Sequence, residues 1–412
     1  MKPKILIITL DYYPKHNANT SIIQRIVSLL GKKYNIVIAT QNNMNAPSYD
    51  TDQGVPIYRT PFHSLRWSIN TAKNELADYV KMIIFNCSYL IKRNSINKTY
   101  VYYFVKEICN SINIQDFDLI LSFSNPFSSH CCASILSQRY GIPWIAYYFD
   151  PFFSNATLCP KKTAIRKKME EKLLANATVV MMTYPTNENY LQLGVTFKNR
   201  IVRVEMPGIV FDRVLTGGGG NRKTCKCYYI GNLYKKIRDP YSAVRVFSAL
   251  EDFEIELYFV GGYYGTKIDF EKLISNNVKF LGKKNSEEIM ELYKDADILL
   301  NIGNLIDNQM PSKIFEYIST GKPIINIYKI NNCPTLKYLW NYPLALNIYE
   351  CDLVKDTNKC INLIKDFCLN NKGKSVSGEF IKKNYMANSD IMVAKVIENY
   401  IKEMVLDKKE RN

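Results

Sequence analysis

The sequence is poor in metal-binding and membrane-crossing features. Its 412 residues include only three histidines, His16, His63 and His130. Its 11 cysteines stand singly apart from Cys131-Cys132 and Cys225-x-Cys227, with no CxxC pair. That pattern argues against a zinc site and a disulfide framework, and it reads as reduced thiols in a cytosolic protein. The longest apolar stretch of the first half, Met82–Phe85 with Cys87–Ile91, is broken by Asn86. It falls short of the roughly 20 residues a membrane span needs. The opening run Ile5–Leu10, ended by Asp11, is too short for a signal segment and reads as a buried strand. No Gly-x-Gly pattern follows that strand, which excludes a dinucleotide fingerprint there.

Acidic residues are also under-represented, 38 against 54 Lys and Arg, for a net charge of +16. Residues 1–210 hold 24 basic against 13 acidic residues, and residues 211–412 hold 30 against 25. The first half is thus biased towards an anionic partner, unless biased Lys and Asn usage alone explains it. Length suggests two or three domains, and 47% apolar with 22% charged residues is ordinary globular composition. Short apolar runs alternate with amphipathic segments, the signature of βαβ units. The rhythm runs from Ile5–Leu10 through a helix over Ile22–Leu30 to Arg200–Glu205, halts at Gly217–Gly220, and restarts at Cys227–Ile230. The predicted organisation is a Rossmann-like domain over 1–206, a linker over 207–221, a second Rossmann-like domain over 222–388, and a terminal helical segment over 389–412.

Four places carry chemistry. The loop Asp11–Thr20, with Lys15, His16, Asn17, Asn19 and Thr20, feeds a helix whose N-terminal N–H groups suit an anion; alternatively Asn19 or Thr20 only caps that helix. Tyr229-Ile-Gly231-Asn232-Leu233, followed by Lys235, Lys236 and Arg238, suits a diphosphate, because glycine allows close approach and cations lie within reach. A merely solvated basic loop has the same appearance. In Asn308-Gln-Met-Pro311-Ser312-Lys313-Ile-Phe-Glu316-Tyr, Pro311 or Ser312 starts a helix directed at an anion, with Glu316 one turn on as an acceptor for ribose hydroxyls. An ordinary capped helix whose glutamate complements the dipole is the alternative. Last, Ser122-Phe-Ser124 with His130, and Phe149-Asp150-Pro151, follow strands of the first half at carboxyl ends, where open α/β sheets bind ligands. His130 is otherwise a helix-end residue bonded to a neighbour, and Asp150 a turn residue.

Asp297-Ile-Leu-Leu-Asn, Pro311-Ser-Lys-Ile-Phe-Glu-Tyr and Gly321-Lys-Pro resemble the nucleotide-sugar site of retaining GT-B glycosyltransferases, glycosyltransferase family 4 of bacterial polysaccharide type. Tyr229-Ile-Gly-Asn-Leu with Arg238, Val260-Gly-Gly and Phe280-Leu-Gly follow in that family's order. The resemblance spans nearly the whole chain and is strongest over 227–328. It implies an α/β, GT-B fold: two Rossmann-like domains facing across a cleft, with Asp390–Leu406 crossing back to the first. It also implies donor-binding roles for Gly231, Asn232, Arg238, Asn308, Pro311, Ser312, Lys313 and Glu316. Asn17, Asn19, Thr20 and Ser124 fall on the acceptor-side loops. The chain departs from the family at Asn308 (glutamate), Asn232 (arginine), Ser124 (often histidine) and Asn17-Ala18 (paired glycines). With Ser124 in the histidine slot, Asp150 and His130 are the expected catalytic residues.

The implied activity is transfer of a sugar from a nucleotide-diphospho-sugar, with retention, to a glycan or polyprenyl-diphosphate-linked acceptor in surface polysaccharide synthesis. Helix N-termini and cations meet the leaving group's charge, so no metal or other cofactor is expected, which suits the lack of a DxD-like pair in a suitable loop. Basic and aromatic residues mixed over Phe62–Ile108, with Lys161-Lys162 and Arg166-Lys167-Lys168, suit an anionic membrane surface on the inner face of the cell membrane; core aromatics beside a solvated charge face are the alternative. No nucleic acid is expected as a partner. A non-catalytic relative acting as a binding partner, and less so a nucleic-acid-binding protein, remain alternatives.

Overall fold

The computed structural model describes residues 2–15, 17–42, 45–61, 98–124, 126–155, 163–195, 200–215, 222–234, 237–264 and 275–406. The chain divides into two compact units, Met1–Val204 with Val393–Asn412, and Glu205–Met392.

The first unit is built on β1 (Lys4–Ile8), α1 (Ala18–Gly31), β2 (Asn35–Asn42), β3 (Tyr49–Asp52), β4 (Val55–Pro61), α2 (Lys98–Ser111), β5 (Leu119–Phe123), α3 (Ser128–Tyr140), β6 (Trp144–Tyr148), α4 (Thr163–Leu174), β7 (Val179–Thr183), α5 (Thr186–Gln192) and β8 (Arg200–Val204). Its sheet has the order β3-β4-β2-β1-β5-β6-β7-β8. Every pairing is parallel except β3 with β4. Strands β5, β6 and β7 are buried throughout, which is why they read as continuous apolar runs rather than alternating ones. The first helix starts at Ala18, earlier than its apolar periodicity suggests. Asn17 and Thr20 form a reciprocal capping box that turns the polar stretch into the first helical turn. From the C-terminus, Glu398 pairs with Lys33 at 2.7 Å and Glu403 with Arg200 at 2.7 Å, tying residues 393–406 into this unit.

The second unit contains β9 (Cys225–Ile230), β10 (Leu233–Tyr234), α6 (Tyr241–Ser248), β11 (Ile255–Val260), β12 (Tyr263–Tyr264), β13 (Val278–Gly282), α7 (Ser286–Asp295), β14 (Ile298–Ile302), α8 (Lys313–Thr320), β15 (Ile324–Tyr328), α9 (Leu336–Leu339), β16 (Ala345–Tyr349), α10 (Glu350–Lys355), α11 (Thr357–Asn371), α12 (Gly378–Tyr385) and the start of α13 (Asp390–Ile401). Its parallel sheet runs β13-β11-β9-β14-β15-β16. Residues 208–215, read as the beginning of a linker, are hydrogen-bonded into this unit. Ile209 N–H donates to the Asn388 carbonyl, Val210 N–H to Ser319 Oγ, and Leu215 N–H to the Thr320 carbonyl. The glycine tract 217–220 lies outside the described residues. No helix among the described residues is long and apolar enough to cross a membrane.

A polar ladder crosses this core. Asn301, Asn326 and Asn347 are in register on three neighbouring strands. Asn301 Nδ2 donates to Asn326 Oδ1 at 2.7 Å, and Asn326 Nδ2 donates to Asn347 Oδ1 at 2.8 Å. Asn326→Leu strips a partner from each neighbour, and each buried polar group so orphaned costs about 1–3 kcal/mol. We expect a fall of roughly 2–5 kcal/mol in urea-unfolding free energy; a loss below about 0.5 kcal/mol, the usual range for surface substitutions, would mean that the ladder contributes nothing.

Candidate functional site

In the second unit, β9 is flanked by β11 on one side and β14 on the other. The carboxyl ends of β9 and β14 therefore form a topological switch point, where open α/β sheets bind ligands. β11 pairs along all of β9, from Cys225 to Ile230. β14 pairs with it only through Ile298↔Cys227 and Leu299↔Tyr228. Beyond that point the Ile230 backbone takes its partner from α8: its N–H donates to the Tyr317 hydroxyl at 2.8 Å, and that hydroxyl donates to the Ile230 carbonyl at 3.2 Å.

Gly231 follows directly. A Cβ on Gly261, which has φ of 137°, would stand 2.1 Å from the Gly231 carbonyl oxygen, so the two loops cross here only because residue 261 is glycine. The Asn232 side chain accepts from Gly262 N–H at 2.9 Å, joining these loops. Arg238 donates through Nε and Nη2 to Asn304 Oδ1, at 3.0 and 2.8 Å, and Asn304 Nδ2 donates to the Gln309 carbonyl at 3.1 Å. Arg238 is thereby tied to the loop carrying Asn308, which is itself buried. Lys235 and Lys236 lie outside the described residues.

Helix α8 begins at Lys313 after Pro311 and Ser312, and no side chain caps it. Its first turn directs N–H groups and the positive end of the dipole outwards. Lys313 Nζ lies 2.9 and 2.8 Å from the two carboxylate oxygens of Glu316, and the Tyr293 hydroxyl donates to Oε2 at 3.1 Å. Burial alone would raise the Glu316 carboxyl, but Lys313 and Arg213 outweigh it and hold the group below the ordinary carboxylate range. Lys313 and Glu316, expected to face a diphosphate and a ribose, thus face each other here. Tyr293, Asn304, Tyr317 and Arg213 belong to this arrangement and were not singled out from sequence. Tyr317 had a visible signal, since it directly follows Glu316.

In the first unit, β1 lies between β2 and β5, so its own switch point falls between β1 and β5. A cavity of about 520 Å³ opens there, lined by Asp11, Asn17, Ala18, Asn19 and Pro126. Asn17 and Thr20 are engaged with each other in the capping box, and Thr20 is fully buried, so Asn19 is the polar residue of this helix start that borders the cavity without a capping role. Lys15 pairs with Asp11 at 2.6 Å. Ser124 is buried, with its N–H on the Tyr147 carbonyl at 3.0 Å. His16 and Asn125 lie outside the described residues.

Asp150 sits just past the end of β6, half-buried, and its carboxyl makes no hydrogen bond or ion pair among the described residues. Desolvation pushes it up to about 6. The surrounding loop is braced from beneath. The Thr183 hydroxyl donates to the Phe149 carbonyl at 2.5 Å, Phe152 N–H to the Tyr190 hydroxyl at 2.9 Å, and Phe153 N–H to Glu170 Oε2 at 3.1 Å. The Tyr190 hydroxyl donates to Glu170 Oε1 at 2.7 Å, and Arg166 donates to the Phe153 carbonyl. Arg166 is accordingly buried, and the basic cluster expected at a membrane loses that cation; Lys161 and Lys162 lie outside the described residues.

His130 requires a correction. It is wholly buried, against Tyr148 with ring centroids 4.5 Å apart, and its Nδ1 is 2.7 Å from Ser122 Oγ. Trp144 Nε1 donates to the same Ser122 oxygen at 2.7 Å, so Ser122 links the indole to the imidazole. Desolvation drives the imidazole down to about 3, leaving it neutral. In this placement His130 packs the core and has no exposed surface to offer a ligand.

The fold formed by these elements is that of the GT-B glycosyltransferases. Neither a known family's sequence model nor any curated protein sequence matches the chain. Solved structures do match. Sucrose-phosphate synthase from Thermosynechococcus elongatus superposes with a TM-score of 0.67 at 13% identity, covering 98% of this chain and 99% of that one. HepE of Anabaena, solved with UDP and glucose, gives 0.64 at 12% identity over 97% and 99% of the two chains. The lipopolysaccharide outer core galactosyltransferase WaaB gives 0.57 at 12% identity over 99% and 100%.

Glu170 offers a test of the brace under Asp150. Burial raises its carboxyl from 4.5 to about 7, against the lowering effect of its hydrogen bonds from Tyr190 and Phe153. Between those values the folded protein keeps a proton that the unfolded chain releases, so this group's contribution to stability falls as pH rises from about 4.5 to about 7. Glu170→Gln removes that contribution, so its urea midpoint, compared with wild type, should hold up better towards neutral pH. Parallel pH profiles for the two proteins would overturn the assignment.

Proposed function

We propose that the protein is a glycosyltransferase that moves a sugar from a nucleotide-diphospho-sugar, with retention, to a glycan or polyprenyl-diphosphate-linked acceptor, in the manner of family 4. The observation that carries this is the convergence at one switch point of Gly231, Arg238 and the uncapped start of α8 with Lys313 and Glu316. HepE and WaaB, similar over nearly the whole chain, are described respectively with UDP-glucose and as a galactosyltransferase, which supports a nucleoside-diphosphate-sugar donor.

The donor belongs to the second unit. Its diphosphate meets the α8 N-terminus, where Ser312 and Lys313 N–H groups and the helix dipole supply positive charge, with Arg238 and the Lys313 ammonium alongside. Glu316 takes two ribose hydroxyls, exchanging its Lys313 partner for the ligand and releasing that lysine to the phosphates. Gly231 permits close backbone approach, while Asn308 holds the sugar through an amide. Stabilising a departing diphosphate in this way needs no metal. The acceptor belongs to the first unit, with Asn19 and the Asp11–Asn17 cavity receiving it and Asp150 orienting its hydroxyl or stabilising developing positive charge.

A peripheral contact with an anionic membrane remains part of the proposal. Helix α2 turns Tyr100 and Phe104 into the core but leaves Tyr102 71% and Tyr103 40% exposed, beside the exposed Lys106. Residues 62–97 of the basic, aromatic segment lie outside the described residues. A second reading, a GT-B relative that binds without catalysis, draws on Asn232, whose amide oxygen is committed to Gly262 N–H where the family has arginine.

Calorimetric titration with uridine, UDP and UDP-sugars, extended to other bases, tests the donor site. Glu316→Ala should weaken nucleoside binding by about 1.5–3 kcal/mol, the range for hydrogen bonds to a charged group. Arg238→Ala should weaken the diphosphate far more than the nucleoside; equal losses would make this arginine a support for the fold.

For the chemistry, the wild-type rate should decline as pH falls below about 6, where Asp150 takes up its proton. Asp150→Asn should abolish that limb and lower turnover about 100-fold, equivalent to roughly 2.7 kcal/mol of transition-state stabilisation, with donor affinity little changed. Turnover within a few-fold of wild type would remove Asp150 from the reaction, and absence of any transfer despite donor binding would favour the non-catalytic reading.

A further inference from the structure

At the other end of β9 from Gly231, three buried thiols converge. Cys225 and Cys227 lie two residues apart on the strand, so they share a face of the sheet. Cys368 reaches them from α11, 141 residues away, with its sulfur 3.8 Å from that of Cys227. All three sulfurs lie within 4.8 Å of one another.

We propose that Cys225, Cys227 and Cys368 form a structural site for a soft d10 metal ion bound by three thiolates. A metal–sulfur bond of about 2.3 Å in trigonal coordination sets the sulfurs about 4 Å apart. The 3.8 Å pair already meets that spacing, and the remaining separations require adjustments of under about 1 Å at side chains on a strand and a helix. An all-sulfur donor set selects thiophilic ions over magnesium or calcium. Among the described residues no fourth His, Cys, Asp or Glu ligand joins the group, which favours three-coordinate copper(I) over a four-coordinate structural zinc site. Binding forms three metal–sulfur bonds, with the thiol protons passing to solvent, and clamps α11 onto the first strand of the second unit. The site lies away from the donor groups, so it stabilises the unit without entering the reaction.

The test uses the full-length protein with the exposed Cys351 replaced by serine, to suppress surface binding. Copper(I), and separately zinc(II), is titrated anaerobically against a competing chelator, with stoichiometry read by native mass spectrometry and unfolding temperature followed in parallel. The expected result is one ion per chain, a thiolate-to-metal absorption band, and a rise in unfolding temperature. Cys368→Ala should lose all three. Cys333→Ala, at another buried thiol, should retain them. Should Cys368→Ala fold poorly, Cys225→Ser provides the second variant, since it leaves the Cys227–Cys368 contact in place. No ion bound by either metal, undiminished binding in both variants, or a metal-free protein lighter by two hydrogens through a Cys227–Cys368 disulfide would each overturn the proposal. Because the readouts are metal content and stability, failure here leaves the donor-site reading untouched, and failure of donor binding leaves this site untouched.

Discussion

The arrangement of the second unit depends on one hydroxyl. β9 and β14 share only two register pairs before they part, whereas β9 and β11 share six. A parting of strands leaves backbone donors and acceptors without a ladder partner, and a buried unpaired peptide group costs free energy comparable to a lost hydrogen bond. Tyr317 removes that cost at Ile230 by accepting from its N–H and donating to its carbonyl. Since Tyr317 lies on α8, the contact that satisfies the strand end also fixes the height and rotation of the helix. Glu316 and Lys313 are one and four positions earlier on that helix, and Gly231 is the residue after Ile230. The position of every proposed donor contact on α8, relative to the β9 loop, follows from this bond.

The charged groups around that point are held in advance by partners of their own. Arg238 is braced by Asn304, and Glu316 lies between Lys313 and the Tyr293 hydroxyl. Leaving either charge without a partner in a half-buried site would be costly. Pairing them restrains their side chains, which would reduce the entropy lost on binding the proposed donor. The proposed exchange would be favourable only for a ligand that supplies both hydroxyls to the carboxylate and anionic oxygen to the lysine, so the pair would also discriminate against ligands that have one without the other.

Much of this was legible in the sequence, for identifiable reasons. Buried parallel strands such as Ile298–Ile302 and Val179–Thr183 announce themselves as apolar, β-branched runs, and the order of the motifs from Tyr229 to Pro323 carries the GT-B fold. Features that depend on tertiary partners were less visible. Asn19 and Thr20 are polar and read as loop, yet the Asn17 cap makes them helical. Arg166 sits in a basic run that looks solvated, but the Phe153 carbonyl draws it inwards. The Cys225–Cys227 spacing is uninformative until α11 brings Cys368 beside it.

His130 and Asp150 show how one region separates packing from chemistry. Both belong to elements next to the first unit's sheet, and both are shifted by desolvation, yet their surroundings differ in kind. His130 is enclosed by Phe127, Trp144 and Tyr148, and its Nδ1 completes a chain that begins at the Trp144 indole and passes through Ser122. Full burial penalises the charged ring, so the site keeps the imidazole neutral. Asp150 keeps part of its carboxyl at the surface, while the loop bearing it is anchored through Phe149, Phe152 and Phe153 rather than through the carboxyl itself. A side chain whose backbone is immobilised by others, and whose own polar group makes no bond among the described residues, is the kind of group the proposed reaction would use. The burial that draws His130 into the core thus leaves Asp150 as the ionisable group of this pair that the proposed acceptor would meet.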